Sequence, residues 1–159
     1  MRIGIGYDVH RLRRGGPLLL GGVAIDSEWA LEGHSDADVL LHAIADALLG
    51  ALALGDLGQY FPDTDPQYRG ISSAKLLQTV VDMMHTHGYR LNNLDAVIMA
   101  QRPRLAAALP AIRRHVAELL HADLGAISVK AKTAEQLGAL GRGEGIAVHA
   151  VCTLVPRES

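Results

Sequence analysis

Apolar and polar residues alternate with period two at the start of the chain. Ile3, Ile5, Tyr7 and Val9 share one face of residues 2–10, and Gly4, Gly6, Asp8 and His10 share the other, which predicts a strand. Leu18–Leu20 and Val23–Ile25 read as two short strands around the Gly21-Gly22 turn. Over residues 35–54 the period becomes helical: Val39, Leu41, Ile44, Leu48 and Leu52 keep an apolar stripe. Ser35 with Asp38 resembles a capping box at its start, and Gly55 can stop it. Residues 56–70 carry Gly58, Pro62, Asp63, Asp65, Pro66 and Gly70 and read as an exposed loop. Beyond it the pattern predicts a helix over 73–87, a strand over 94–101 and a helix over 110–121 with proline in its first turn. A short strand over 127–131, a brief helix capped by Thr133 with Gln136 as partner, and a strand over 146–155 complete the chain. Such a mixture predicts one α+β domain over 1–159, a two-layer sandwich of a mixed β-sheet with helices on one face.

Composition narrows the class. At 159 residues and 49% hydrophobic, the chain can bury a sizeable core, and disordered or collagen-like classes are excluded. A net charge of −2 argues against nucleic-acid or membrane partners, which would need clustered surplus Lys and Arg. The run Arg11, Arg13, Arg14 reads as a solvated loop. A single cysteine, Cys152, precludes an internal disulfide and points to a reducing, cytoplasmic setting. No apolar run approaches the ~18 residues of a membrane span, and the N-terminus lacks the apolar block of a signal peptide.

Eight histidines are more than packing requires. Asp8-Val9-His10 sets a carboxylate and an imidazole on one strand face, and the preceding Gly4 and Gly6 would keep the approach open. His42 lies in the first helix, with Asp38 and Asp46 one turn to either side to hold its second ring nitrogen. A carboxylate and two histidines with an open fourth position suit catalytic Zn²⁺, although His42 could equally be a helical histidine bonded to an aspartate. His85, His87, His115 and His121 fall near helix ends, where a cation is favoured, and His149 fits strand packing. The segment 34–38 could offer a phosphate the helix N-terminus, or Ser35 could be an ordinary cap. Lys130, Lys132, Thr133 and Glu135 could hold a polyphosphate with a divalent cation, or form an exposed strand end. The glycines from 138 to 145 match neither a P-loop nor a dinucleotide fingerprint.

Read together, several blocks in register resemble the 2-C-methyl-D-erythritol 2,4-cyclodiphosphate synthase family of the non-mevalonate isoprenoid pathway. They are the segment 2–10; Gly33-His34-Ser35-Asp36-Ala37-Asp38 with His42 and Asp46; Gly55-Asp56-Leu57-Gly58; Phe61-Pro62-Asp63-Thr64-Asp65; Lys130-Ala131 with Thr133 and Glu135; and Gly141-Arg142-Gly143-Glu144-Gly145. The resemblance implies zinc on Asp8, His10 and His42, and a second ion, Mg²⁺ or Mn²⁺, placed by Glu135 and substrate phosphates. It implies phosphate contacts from His34 and Ser35, with His34 and Thr133 stabilising the transition state. Asp56, Gly58, Phe61, Asp63 and Asp65 would form the methylerythritol pocket. Ala100, Pro103, Arg104, Leu105, Ala106, Ala131 and Lys132 would form the cytidine and phosphate wall. It further implies a homotrimer with active sites between subunits. Arg104 stands where the family commonly has lysine, which keeps charge but alters its shape. Ala139 stands where a bulky aromatic is frequent, lining a cavity on the trimer axis at which the basic Arg142 is kept.

Two other readings use parts of the same sequence. A zinc hydrolase would explain Asp8, His10 and His42 but leave the Lys130–Glu135 segment idle. A catalytically silent trimeric module would bind nucleotide or isoprenoid diphosphate without turnover.

Overall fold

A computed structural model describes residues 1–158. Strand β1 (Arg2–Arg14) is followed by the hairpin β2 (Leu18–Leu20) and β3 (Val23–Ile25), then by β4 (Trp29–Leu31). Helices α1 (Val39–Ala51), α2 (Leu57–Tyr60) and α3 (Ser73–Thr86) precede β5 (Tyr89–Met99); α4 (Leu109–Leu119), β6 (Ile127–Lys132), α5 (Gly138–Gly141) and β7 (Gly145–Pro156) follow. The main sheet has the order β4-β1-β7-β5-β6. Only β5 and β6 pair in parallel within it, so the sheet is mixed, as expected. The first strand pairs with the last, Arg2–Arg11 lying antiparallel to Gly145–Leu154.

Helix α1 is apolar almost all round because it is covered on almost every side. It rests on β1 and β7 and packs against α3, and Leu40, Leu41, Ile44, Leu48 and Leu49 are fully buried. Each such leucine removes about 1.5–3 kcal/mol worth of apolar surface from water. Its approach to the sheet is unusually close. A Cβ on Gly4 would sit 1.8 Å from the Ala47 carbonyl oxygen, and one on Gly6 would sit 1.9 Å from that of Ala43. These glycines therefore let a helix lie directly on the strand backbone, rather than keeping a ligand path open as the spacing suggested.

Among the described residues, none buries the opposite face of β1 and β7. Ile3, Ile5, Tyr7 and Val9 of β1 and Val151 of β7 are 43–67% exposed. His149 packs against Tyr7 across the strand pair, the rings tilted by 50° with centroids 4.8 Å apart. The alternation thus locates β1 correctly but not the side on which the core lies.

Several boundaries move for physical reasons. Helix α1 begins at Val39, and its cap is Asp38, whose side chain accepts from the Leu41 amide; the Ser35 start is corrected. Asp38 also accepts from Gly21 and Gly22 at 3.0 and 2.7 Å, tying the β2–β3 turn to the helix. Both glycines have positive φ, as a two-residue hairpin turn with the sheet's twist requires. Strand β4 went unread because three residues carry no period. It pairs with an extension of β1, so Arg11, Arg13 and Arg14 sit exposed on a strand and not in a loop. Thr133 does not cap a helix: its hydroxyl accepts from the Glu135 amide, and α5 starts five residues later without a side-chain cap.

Asp38 is completely buried, and burial raises its carboxyl to about 6 against three opposing amide hydrogen bonds and with help from nearby Asp36. A folded pKa above the ordinary 3.8 means the group's favourable contribution is full below about pH 4 and lost as pH rises through about 6. The loss is on the order of 3 kcal/mol. The urea-unfolding free energy of the native chain, relative to Asp38→Asn, is expected to fall between pH 4 and 7; a difference flat with pH would refute it. Among the described residues, no helix is long and apolar enough to cross a membrane.

Candidate metal centre and substrate cleft

Asp8 and His10 project from the α1-covered side of β1, and His42 comes down from α1 above them. The three lie at the floor of a cleft of about 550 Å³. Asp8 Oδ2 is 2.9 Å from His10 Nε2 and 3.1 Å from His42 Nδ1, and the two ring nitrogens are 3.2 Å apart. A tetrahedral ion with bonds of ~2.0–2.2 Å would span ligand–ligand edges of roughly 3.3–3.6 Å, so small outward movements would accommodate one. Among the described residues this is the one cluster of three His, Cys, Asp or Glu ligand atoms close enough to hold a metal. Donor type and spacing fit zinc.

The histidines are oriented from behind. His10 Nδ1 donates to the Glu32 carbonyl at 2.8 Å, which leaves Nε2 to face the cluster. His42 Nε2 lies 2.8 Å from Ser73 Oγ and 3.1 Å from Ser35 Oγ. Neither Asp38 nor Asp46 holds His42, which corrects that expectation. Asp38 is consumed by backbone amides. Asp46 accepts from the Leu57 amide at 2.7 Å and fastens α1 to the start of α2. Ser73 and Asp36 were missed as ligand supports, since contacts spanning 31 and 37 residues leave no mark in local spacing.

The electrostatics suit a cation. Burial pushes the Asp8 carboxyl up, but hydrogen bonds from His10 and His42, with their charge, prevail and bring it to about 2. Burial alone would lower His10, yet its bond to Asp8 raises it. Asp46 is raised, chiefly by burial and then by the carboxylates of Asp56 and Asp8, against its bond from Leu57.

His34, Ser35, Gly58, Phe61 and Asp63 also line the cleft. His34 Nε2 reaches the Asp65 carbonyl oxygen at 3.1 Å, and Phe61 packs edge-on to Tyr68. The side chains of Asp56 and Asp65 are engaged in capping α2 and the short 3₁₀ turn Pro66–Tyr68. The segment read as a loop therefore contains two short helical turns, with none of its residues fully buried.

The second group of expected residues gathers elsewhere. Parallel β5 and β6 leave the sheet together, with the Ala100 amide bonded to the Lys132 carbonyl at 2.9 Å. Ala100, Pro103, Arg104, Leu105 and Ala106 thereby meet Ala131, Lys132 and Thr133 around a cavity of about 200 Å³, which shares no lining residue with the first cleft. Lys130 is held by Asp95 at 2.5 and 2.6 Å, away from that cavity's lining. Glu135 is exposed in the left-handed turn after β6. Ala139 is exposed on α5, and Arg142 pairs with Glu144 at 2.9 Å.

Comparison with known proteins adds the last observation. Residues 1–155 match the model of the YgbB family. A protein of Desulforamulus reducens named 2-C-methyl-D-erythritol 2,4-cyclodiphosphate synthase is 57% identical over 97% of this chain and 98% of its own. A solved structure of a synthase of that name with CDP bound superposes with a TM-score of 0.90 at 37% identity, over 97% of this chain and all of the other. The bifunctional IspDF of Campylobacter jejuni superposes with a TM-score of 0.95 at 41% identity; there the match spans 99% of this chain but 42% of the longer protein.

Proposed function

The chain belongs to the YgbB family, whose members include the 2-C-methyl-D-erythritol 2,4-cyclodiphosphate synthases, and from that membership we propose how its residues perform their reaction. It converts 4-diphosphocytidyl-2-C-methyl-D-erythritol 2-phosphate to 2-C-methyl-D-erythritol 2,4-cyclodiphosphate and CMP, in isoprenoid precursor biosynthesis. The observation that carries this reading is 57% identity over nearly the whole of both chains.

In the reaction, an oxygen of the 2-phosphate attacks the β-phosphorus, a new P–O bond closes the ring, and CMP departs with the electrons of the broken bridge. Both partners are anionic, so orientation and charge neutralisation dominate the barrier. A phosphate monoester, with its second pKa near ~6, is largely dianionic at pH 7 and needs no strong base. Zinc on Asp8, His10 and His42 would supply Lewis-acid polarisation of the β-phosphate, and Mg²⁺ or Mn²⁺ near Glu135 would neutralise the diphosphate.

The chain's own donors do the rest. Ser35 Oγ accepts from the Ala37 amide, leaving its hydrogen free to donate into the cleft beside His34. Thr133 accepts from the Glu135 amide, so its hydrogen too is free for a phosphate oxygen, with the Lys132 ammonium alongside. Phe61 and Tyr68 wall off water over the methylerythritol moiety.

A homotrimer with active sites between subunits is supported by two features: the residues expected in one site fall in two separate cavities of one chain, and the β1–β7 face is apolar and bare. Ala139 and Arg142 would then line the trimer axis. A cytoplasmic location is supported by the free, buried Cys152.

³¹P NMR with the cytidyl substrate and Mg²⁺ tests the reading. Two mutually coupled diphosphate signals and CMP are expected, lost on zinc chelation and restored by Zn²⁺; inorganic phosphate or an open diphosphate would indicate a hydrolase instead. Glu135→Gln is expected to raise the Mg²⁺ needed for half-maximal rate roughly tenfold, the scale of one charge-assisted contact, with zinc content unchanged. An unaltered Mg²⁺ titration would remove that role.

A further inference from the structure

We propose that Trp29 and Arg102 are positioning residues for the nucleotide: stacked on each other, they fix from behind the wall against which the cytidine would rest. The proposal rests on reading the cavity of about 200 Å³ between residues 100–106 and β6 as the nucleotide pocket. Every residue from 100 to 106 lines that cavity except Arg102.

The wall needs such a hold. Its flanks are fixed, because Ala100 and Leu105 are buried and the Ala100 amide donates to the Lys132 carbonyl at 2.9 Å. Between them, residues 101–104 make no backbone–backbone hydrogen bond among the described residues, so no ladder sets where they lie. Gln101 Oε1 accepts one long bond, from the Gln136 amide at 3.3 Å. Arg102 supplies the firmer anchor. Its Cζ lies over the Trp29 ring, 4.0 Å from the centroid, and its Nη2 donates to the Gly143 carbonyl at 3.2 Å. A Cβ at position 143 would stand 2.5 Å from Arg102 Nε, so the turn before β7 has room for the guanidinium only because it is glycine.

Trp29 is itself held firmly. It pairs with Arg14 across β4 and β1, and its amide donates to Ser27 Oγ at 2.9 Å. Arg14 also reaches the ring, with Cζ 4.4 Å from the centroid, but Glu28 neutralises it at 2.6 Å. Among the described residues no carboxylate pairs with Arg102, so its charge meets the electron-rich face of the indole instead. An aliphatic side chain of similar bulk could fill the space but could not attract the cation.

Calorimetric titration with CDP, in the presence of Zn²⁺ and Mg²⁺, tests the proposal. Trp29→Leu and Arg102→Ala are each expected to raise the CDP dissociation constant about tenfold, the scale of one partly desolvated cation–π contact. Trp29→Phe keeps a ring face and is expected to stay within about threefold of native, a rescue that mere space-filling would not produce. Trp29 is the single tryptophan of the chain, so its emission reports the contact in solution, and Arg102→Ala is expected to shift it. The proposal alone is overturned if CDP binds the native protein while Trp29→Leu and Arg102→Ala both bind it within twofold of native. An unaltered emission spectrum in Arg102→Ala, or a Trp29→Phe protein as weak as Trp29→Leu, would overturn it equally. CDP failing to bind the native protein would overturn the nucleotide reading of the cavity too.

Discussion

His42→Ala is expected to lose bound zinc and turnover together. The two remaining ligand atoms, Asp8 Oδ2 and His10 Nε2, stay 2.9 Å apart and keep each other's charge, so the cluster does not become an unpaired buried carboxylate and the chain should still fold. A two-ligand site on one strand, however, lacks the third side chain that would complete the set able to hold an ion. Lewis-acid stabilisation is worth several kcal/mol, and each ~1.4 kcal/mol is tenfold in rate. The expected fall in kcat is therefore roughly a thousandfold or more, with zinc content near zero by elemental analysis and an unchanged far-UV spectrum. Full activity without bound zinc would sink the assignment.

Gly6→Ala is expected to be more damaging to the fold than any loss of a single exposed side chain. The added carbon would meet the Ala43 carbonyl oxygen at 1.9 Å and the Ala47 amide at 2.8 Å, both backbone atoms of α1 that no rotamer change can move aside. Relief requires lifting α1 off β1 and opening the leucine-rich layer beneath it, at a cost of about 4 kcal/mol or more. The same displacement carries His42 away from Asp8 and His10, so any folded remainder should bind zinc poorly. Gly125→Ala, where an added Cβ meets nothing within 4 Å and φ is not positive, serves as the control. A Gly6→Ala protein with a denaturation midpoint like that control's would show that the helix does not rest on the strand as described.

Those glycines also mark where the sequence was legible and where it was not. Alternation along residues 2–10 located β1, the helical stripe located α1, and the D-x-H spacing with His42 picked out three side chains whose ligand atoms the fold brings close enough to hold a metal. What alternation cannot encode is which face meets the core. The row Ile3, Ile5, Tyr7 and Val9 resembles a core face but is bare in the single chain, while the glycine side is buried beneath a helix. Ser35 resembled a helix cap because Ser and Asp are chemically alike there; Asp38 takes the role because it alone reaches the hairpin and the first turn at once. Ser73 lay unseen at the start of a helix because its partners, Asp36 and His42, become neighbours only after folding.

The pairing of the first strand with the last has a consequence for the order of events during synthesis. Asp8 and His10 leave the ribosome early, yet the strand that aligns them lies antiparallel to Gly145–Leu154 along most of its length. Until those residues are made, β1 has a long unpaired edge and the helix above it has only part of its floor. Contacts this distant in sequence close late. A nascent fragment that ends before residue 145, though it contains Asp8, His10 and His42, thus lacks the strand that pairs with β1 and does not yet hold the three in place.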